Sequence, residues 1–319
     1  MTTTVSRGAV VPAHDPERLA DDLAFAAEIG LTHVRFDVVW AAGAPKAGAI
    51  HEGVFEALRG AAQQARSLGL APWFRLLQTD LPHWFEDDGG FTDAATAGRW
   101  WPRWVEAVAA RLGDVAAGWV PFEAPFAMAR RMVPDDPRKH GELVDTLVVA
   151  WRDAWRVLGG GGPLVATSLD VAREAPADDS EPALQAARRR DHLRWTTWLG
   201  GLYDGVIRIP GRADRPLADL AGACDVVGLA LRGDVETALY RAAEMAPPRP
   251  LAVTFRPTGR TDTEQAGAVA AMWRDVRRAA GDLNVAAVTA ATLCDRPPYD
   301  GLATADRRLK DSGEAFLAG

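Results

Sequence analysis

Residues 15–38 read DPERLADDLAFAAEIGLTHVRFDV, a complete step from helix to strand. Asp15 can cap a helix with Pro16 at its first position and Gly30 just past its end, a start and a stop that the backbone chemistry of those residues favours. The apolar run 33–38 that follows then reads as a β-strand.

The same step recurs along the chain. Short apolar runs at 9–13, 33–38, 72–77, 118–123, 163–169, 225–231, 250–255 and 285–293 alternate with longer segments of helical period. That alternation predicts parallel strands joined by crossover helices. Eight such strands close a barrel, and 319 residues suit one barrel of about 250 residues with insertions. The fold class read here is α/β, a single (β/α)8 TIM barrel over residues 1–319. Thr261 with Glu264 forms a capping box ahead of a helix at 266–280. Trp101, Trp104, Val105, Val108 and Leu112 share one helical face, and Leu143, Leu147, Trp151, Trp155 and Leu158 share another, so these tryptophans read as packing residues. The stretch 172–222 is long for a crossover and surrounds a helix near 184–199, so it is expected to shape the barrel mouth. The four glycines at 159–162 have no lysine after them and read as a turn, not a phosphate loop.

Composition narrows the function. Hydrophobic residues at 48% and charged residues at 25% describe an ordinary globular chain. A net charge of −7 and a pI near 5.5 argue against nucleic acid or an anionic membrane as partner and favour a small, neutral or cationic ligand. Cys224 and Cys294 are too few for a disulfide framework, and the histidines at 14, 33, 51, 83, 140 and 192 show no metal-ligand spacing. No metal or cofactor is expected. No 18-residue apolar run and no signal-like leader occur, so the expected location is the cytoplasm. Nothing in the sequence indicates an oligomeric state.

Six ordered stretches carry a resemblance to a known family. The region 15–40 is similar to the second strand of glycoside hydrolase family 1, and GLAPWFRLLQTDLPHWFEDDGGF resembles its HWDLP segment. RLGDVAAGWVPFEAPFAMA resembles the family's NEP strand, CDVVGLALR its GLNYY, RPLAVTFRPTG its TENG, and GLATADRRLKDSGEAF its closing segment. The resemblance implies a barrel that hydrolyses β-glycosides with retention, through a glutamate acid/base and a glutamate nucleophile. The residues matching NEP are Glu123, Ala124 and Pro125, so alanine stands at the acid/base position; Phe255 stands at the nucleophile position. The histidine of HWDLP is Gln78, the asparagine and tyrosine of GLNYY are Ala230 and Leu231, and a tryptophan of the last strand is Ala291. Arg35 survives.

Barrel chemistry sits at the C-terminal ends of the strands, which directs attention to the polar residues there. Glu123 is the first choice as acid/base, with its pKa raised in a mouth lined by Phe122 and Phe255; the competing reading is a carboxylate held by Arg35 or Arg75. Asp170 is the second carboxylate. Asp37 is read as a loop cap facing away from Arg35. Arg35, Arg75, Arg232 and Arg256 can form a cationic rim, joined by Gln78 and Asp295. Trp84 and Tyr299, and with less support Trp40, can stack on a ligand. Cys294 reads as an inert small residue rather than a reactive thiol. The leading functional reading is an atypical enzyme of specialised metabolism, doing acid/base isomerisation, cyclisation or elimination on a small organic or glycosylated metabolite. Its rivals are a glycosidase with relocated carboxylates and a non-catalytic, ligand-binding pseudo-glycosidase.

Overall fold

The computed structural model describes residues 5–13, 16–77, 81–134, 136–296 and 299–319. The expected cap Asp15 and the candidate ligand residue Gln78 lie outside them. Among the described residues ten strands run in chain order: β1 (Ser6–Val10), β2 (His33–Asp37), β3 (Ala71–Arg75), β4 (Gly118–Val120), β5 (Leu164–Val165), β6 (Val206–Ile207), β7 (Arg215–Pro216), β8 (Val227–Leu231), β9 (Leu251–Phe255) and β10 (Val285–Ala290). Eight of them form one parallel sheet in the order β5-β4-β3-β2-β1-β10-β9-β8. Isolated parallel bridges Ala166↔Val226 and Leu169↔Leu229 join its two edges. The sheet is therefore a closed barrel. The pair β6–β7 is a short antiparallel hairpin outside it.

Strand β1 lies earlier than the apolar run 9–13 suggests. Ser6 and Arg7 pair with Ala287 and Val288 of β10, so polar residues begin the strand. Pro12 then has no N–H to offer a neighbour, and the ladder ends. The helix Pro16–Glu28 ends before Gly30, which takes a φ of 78°. The helix Asp262–Ala279 carries the expected capping box, and the helix Ala94–Leu112 buries Trp101, Trp104, Val105, Val108 and Leu112. The stretch 172–222 folds as the helix Glu181–Arg194, a π turn Thr196–Gly200, a helical turn Gly201–Asp204 and the β6–β7 hairpin. Among the described residues no helix is long and apolar enough to cross a membrane.

Alternation along each strand sorts the side chains into two apolar clusters. The outer one fills the annulus between sheet and helices, where Phe36, Phe74, Trp119, Val253 and Phe255 of the strands meet Trp101, Trp151 and Trp273 of the helices. Burial of such a side chain contributes about 1.5–3 kcal/mol, so this annulus carries most of the hydrophobic stabilisation. The inner cluster, within the bore, has only Val120, Ala166 and Val226 at its centre with Trp73 and Ala252 against them. Two large rings lie across that bore. A Cβ at Gly8 would meet the His33 ring at 2.2 Å and one at Gly118 would meet the Trp73 ring at 2.4 Å, so only glycine fits beneath either.

Candidate active site

Strands β2, β3 and β4 bring four charged side chains together at the C-terminal end of the barrel. Glu123 Oε2 accepts from Arg35 Nη2 at 2.8 Å and from Arg75 Nη1. Arg75 also donates through Nε and Nη2 to both oxygens of Asp37, each at 2.7 Å. Arg35 Nη1 donates to Thr254 Oγ1 of β9 at 3.0 Å. Residues two apart on a strand share a face, so Asp37 lies on the same face as Arg35 and is no loop cap turned away from it. Asp37 is thus a member of the site that the sequence reading set aside.

The electrostatics reverse the expectation for Glu123. Burial pushes its pKa up, but Arg35 and Arg75 beside it outweigh burial and hold it down at about 2. Burial likewise works against the charge of Arg75, yet the Glu123 and Asp37 carboxylates raise its pKa. Two cations and two anions form a compensated quartet whose members are largely shielded from water. Glu123 is an anion at neutral pH. One of its oxygens, Oε1, makes no hydrogen bond among the described residues and remains available to a ligand.

Asp170 is committed elsewhere. Its Oδ1 accepts from Phe126 N at 3.0 Å and its Oδ2 from Ala127 N at 2.9 Å, which caps the helix Pro125–Met132, and Arg194 Nη1 reaches Oδ2 at 2.9 Å. Burial pushes this carboxyl up to about 6 against the pull of Arg194 and the two amides. Arg194 itself, with Glu174, comes from the 172–222 stretch, which thereby anchors one side of the mouth.

The remaining candidates separate. Arg256 pairs with buried Asp300, whose other oxygen Oδ1 has no partner among the described residues, and its charge reaches Glu123 and helps hold that carboxylate's pKa down. Arg232 is exposed on the rim and forms no ion pair among the described residues. Asp295 accepts from Lys310 Nζ and Gly301 N, both at 3.0 Å, and so holds the loop after β10. Tyr299 is 63% exposed with a φ of 64°, and its carbonyl accepts from Lys310. Trp84 belongs to a flank cluster: it donates to the Ala44 carbonyl at 2.8 Å and meets Trp40 edge-on at 6.2 Å, while Trp40 stacks on Trp104. Phe255 and Phe122 do not line the mouth. Phe255 lies in the annular core, because Ala252 and Thr254 take the inward positions of β9 and 255 alternates outward; Phe122 packs on Trp101, Trp151 and Trp198. Arg256 is therefore the residue at the end of β9 that faces Glu123. Burial pushes the Cys294 thiol up to about 12, which leaves it unreactive.

Ala124 shows how the mouth is shaped. It adopts a left-handed backbone, φ 52° and ψ 56°, immediately before Pro125, and its N–H donates to the Ser168 carbonyl at 2.8 Å. The missed members of the site, Thr254 and Asp300, had different visibility. Thr254 was recoverable from β9 alternation, whereas Asp300 lies 44 residues beyond Arg256 in a loop with no periodicity.

The sequence model of glycosyl hydrolase family 1 matches residues 5–206. Thermostable beta-glucosidase B of Thermobispora bispora is 26% identical over 273 residues, which cover 77% of this chain and 56% of that protein. The chain thus spans little more than half the length of that relative. A beta-glycosidase from Pyrococcus horikoshii superposes with a TM-score of 0.82 at 17% identity, covering 97% of this chain and 91% of the other. The psychrophilic beta-glucosidase of Micrococcus antarcticus gives 0.82 at 17% identity with 98% and 96% covered, and aphid myrosinase gives 0.81 at 13% identity with 98% and 97% covered. At these identities the structural likeness shows the barrel fold.

Proposed function

This chain belongs to glycosyl hydrolase family 1, and from that membership we propose that it is a non-hydrolytic member whose barrel mouth binds a small polar organic molecule, such as a glycoside, without cleaving it. The observation that carries this reading is the clamp of two guanidinium groups on Glu123. Retaining hydrolysis needs one carboxyl able to deliver a proton and a second as nucleophile, about 5–5.5 Å apart. Glu123, held at about 2, has no proton to deliver at neutral pH, and Asp170 spends its oxygens on a helix terminus. Ala124 and the mouth-facing Arg256 supply no carboxyl. What the mouth offers is recognition: a free carboxylate oxygen on Glu123 beside fixed cations, suited to the hydroxyl groups of a ligand.

A panel of p-nitrophenyl β-glycosides tests this directly. The expected result is no nitrophenol release, with saturable binding of at least one glycoside by calorimetry that weakens tenfold or more in Glu123→Ala. Release of nitrophenol that disappears in Glu123→Gln would replace this reading with a glycosidase using relocated carboxylates. One observation favours acid/base chemistry instead: Asp170, at about 6, titrates near neutrality, where proton transfer is efficient. Chemical conversion of a bound glycoside or its aglycone, lost in a folded Asp170→Asn variant, would establish that second reading.

A further inference from the structure

A cavity of about 240 Å3 occupies the other end of the barrel, away from the mouth. Arg35 and Thr254 close its inner end, Trp73, Ala166, Val226 and Ala252 wall it, and exposed Thr32 and Leu164 stand at its rim. Barrel interiors are ordinarily filled by layers of bulky branched side chains. Here the inward positions are largely alanine and threonine, with Gly8 and Gly118 lying under the His33 and Trp73 rings, and the bore stays open around them. An apolar cavity of about 150 Å3 is enough to admit benzene, so this space is sufficient for one or two fused rings.

The lining also selects the charge and polarity of an occupant. His33 is buried, its Nε2 lies 2.8 Å from Thr289 Oγ1, and burial with Arg35 nearby lowers its pKa to about 4, so the imidazole is neutral at neutral pH. Arg35 already has its charge paired with Glu123 on the far side. Its Nε is buried with no hydrogen-bond partner among the described residues, a donor left over at the cavity's inner end. The Trp73 indole offers an aromatic wall, and the Ser6 and Thr32 hydroxyls sit at the entrance.

We propose that the N-terminal end of the barrel is a second binding site, one for a neutral aromatic molecule of one or two rings with a single hydrogen-bonding oxygen. It is entered from the face opposite the mouth and is separated from the mouth by Arg35. The site is independent of the mouth's ligand.

Calorimetric titration of the full chain with 2-naphthol tests the proposal. Saturable one-to-one binding is expected whether or not any glycoside binds at the mouth, so failure here and failure of the mouth reading are distinguishable. Ala252→Leu and Ala166→Leu place extra methyl groups into the cavity and should weaken 2-naphthol tenfold or more while leaving far-ultraviolet circular dichroism unchanged. Should either leucine prevent folding, Ala287→Val occupies the same space with less bulk and should weaken binding at least threefold. Equal affinity in the filled variants overturns the proposal, as does a lack of saturable binding up to the solubility limit, which would mark the space as a void holding water.

Discussion

Glu123 shows what a single position needs beyond its identity. Its neighbours Arg35 and Arg75 could be read from their places at the ends of adjacent strands, yet the direction of its pKa could not. That direction depends on contacts at hydrogen-bond distance, which outweigh the desolvation that an apolar mouth would impose. Asp37 was within reach of the sequence, because a residue two positions from Arg35 on a strand must face the same way. Ala124 makes a prediction at this scale. A left-handed backbone costs a residue with a Cβ about 1–2 kcal/mol, and glycine's extra freedom in the unfolded chain takes back about 0.5–1 kcal/mol. Ala124→Gly should therefore stabilise the protein by about 0.5–1 kcal/mol, seen as a higher urea midpoint with an unchanged slope. A lower midpoint would mean that the methyl group of Ala124 packs favourably enough to offset its backbone.

Elements were more readable than residues, because periodicity repeats while contacts do not. The helix Asp262–Ala279 could be placed from two capping residues, and β2 from one apolar run. Register was the weak point: β1 begins with polar residues that carry no apolar signal, and the matching of Phe255 to a catalytic position says nothing about which face of β9 it occupies. Alternation from Ala252 and Thr254 answers that question and has a consequence for placing a carboxylate at this position. Phe255→Glu would introduce a carboxylate into the annular core rather than into the mouth. It should destabilise by at least about 3–5 kcal/mol, the cost of losing a buried phenylalanine before any charge penalty. The double variant Ala124→Glu with Phe255→Glu should release no nitrophenol from aryl glycosides. Measurable release would show that position 255 turns toward the mouth.

At the scale of the whole molecule, closure of the barrel was readable from eight alternating runs, but the open bore was not, since small inward residues look like any alanine-rich strand. Three buried groups then set how the folded state responds to acid. The unfolded chain protonates His33 near 6.5 and the folded one only near 4, so His33 costs stability as pH falls through that window. Asp170 acts in the opposite sense: the folded carboxyl takes its proton near 6 and the unfolded one at 3.8, so stability rises over nearly the same range. Each effect is roughly 3 kcal/mol, and they largely cancel. Glu123 has no such counterweight, and between its unfolded value of 4.5 and its folded value of about 2 a further ~3 kcal/mol is lost. The melting temperature should stay nearly level from pH 7 to about 4.5 and then fall steeply. In His33→Gln it should instead rise as pH drops from 6.5 to 4; a decline there would contradict the pairing of these two groups.

The separation of the annular core from the bore has a consequence for ancestry. Phe36, Phe74, Trp101, Trp119 and Trp151 hold the strands and helices together without touching the mouth, so a lineage could exchange its mouth residues one by one while the scaffold passed unchanged from generation to generation. The barrel is accordingly shared with a beta-glycosidase from Pyrococcus horikoshii at only 17% identity.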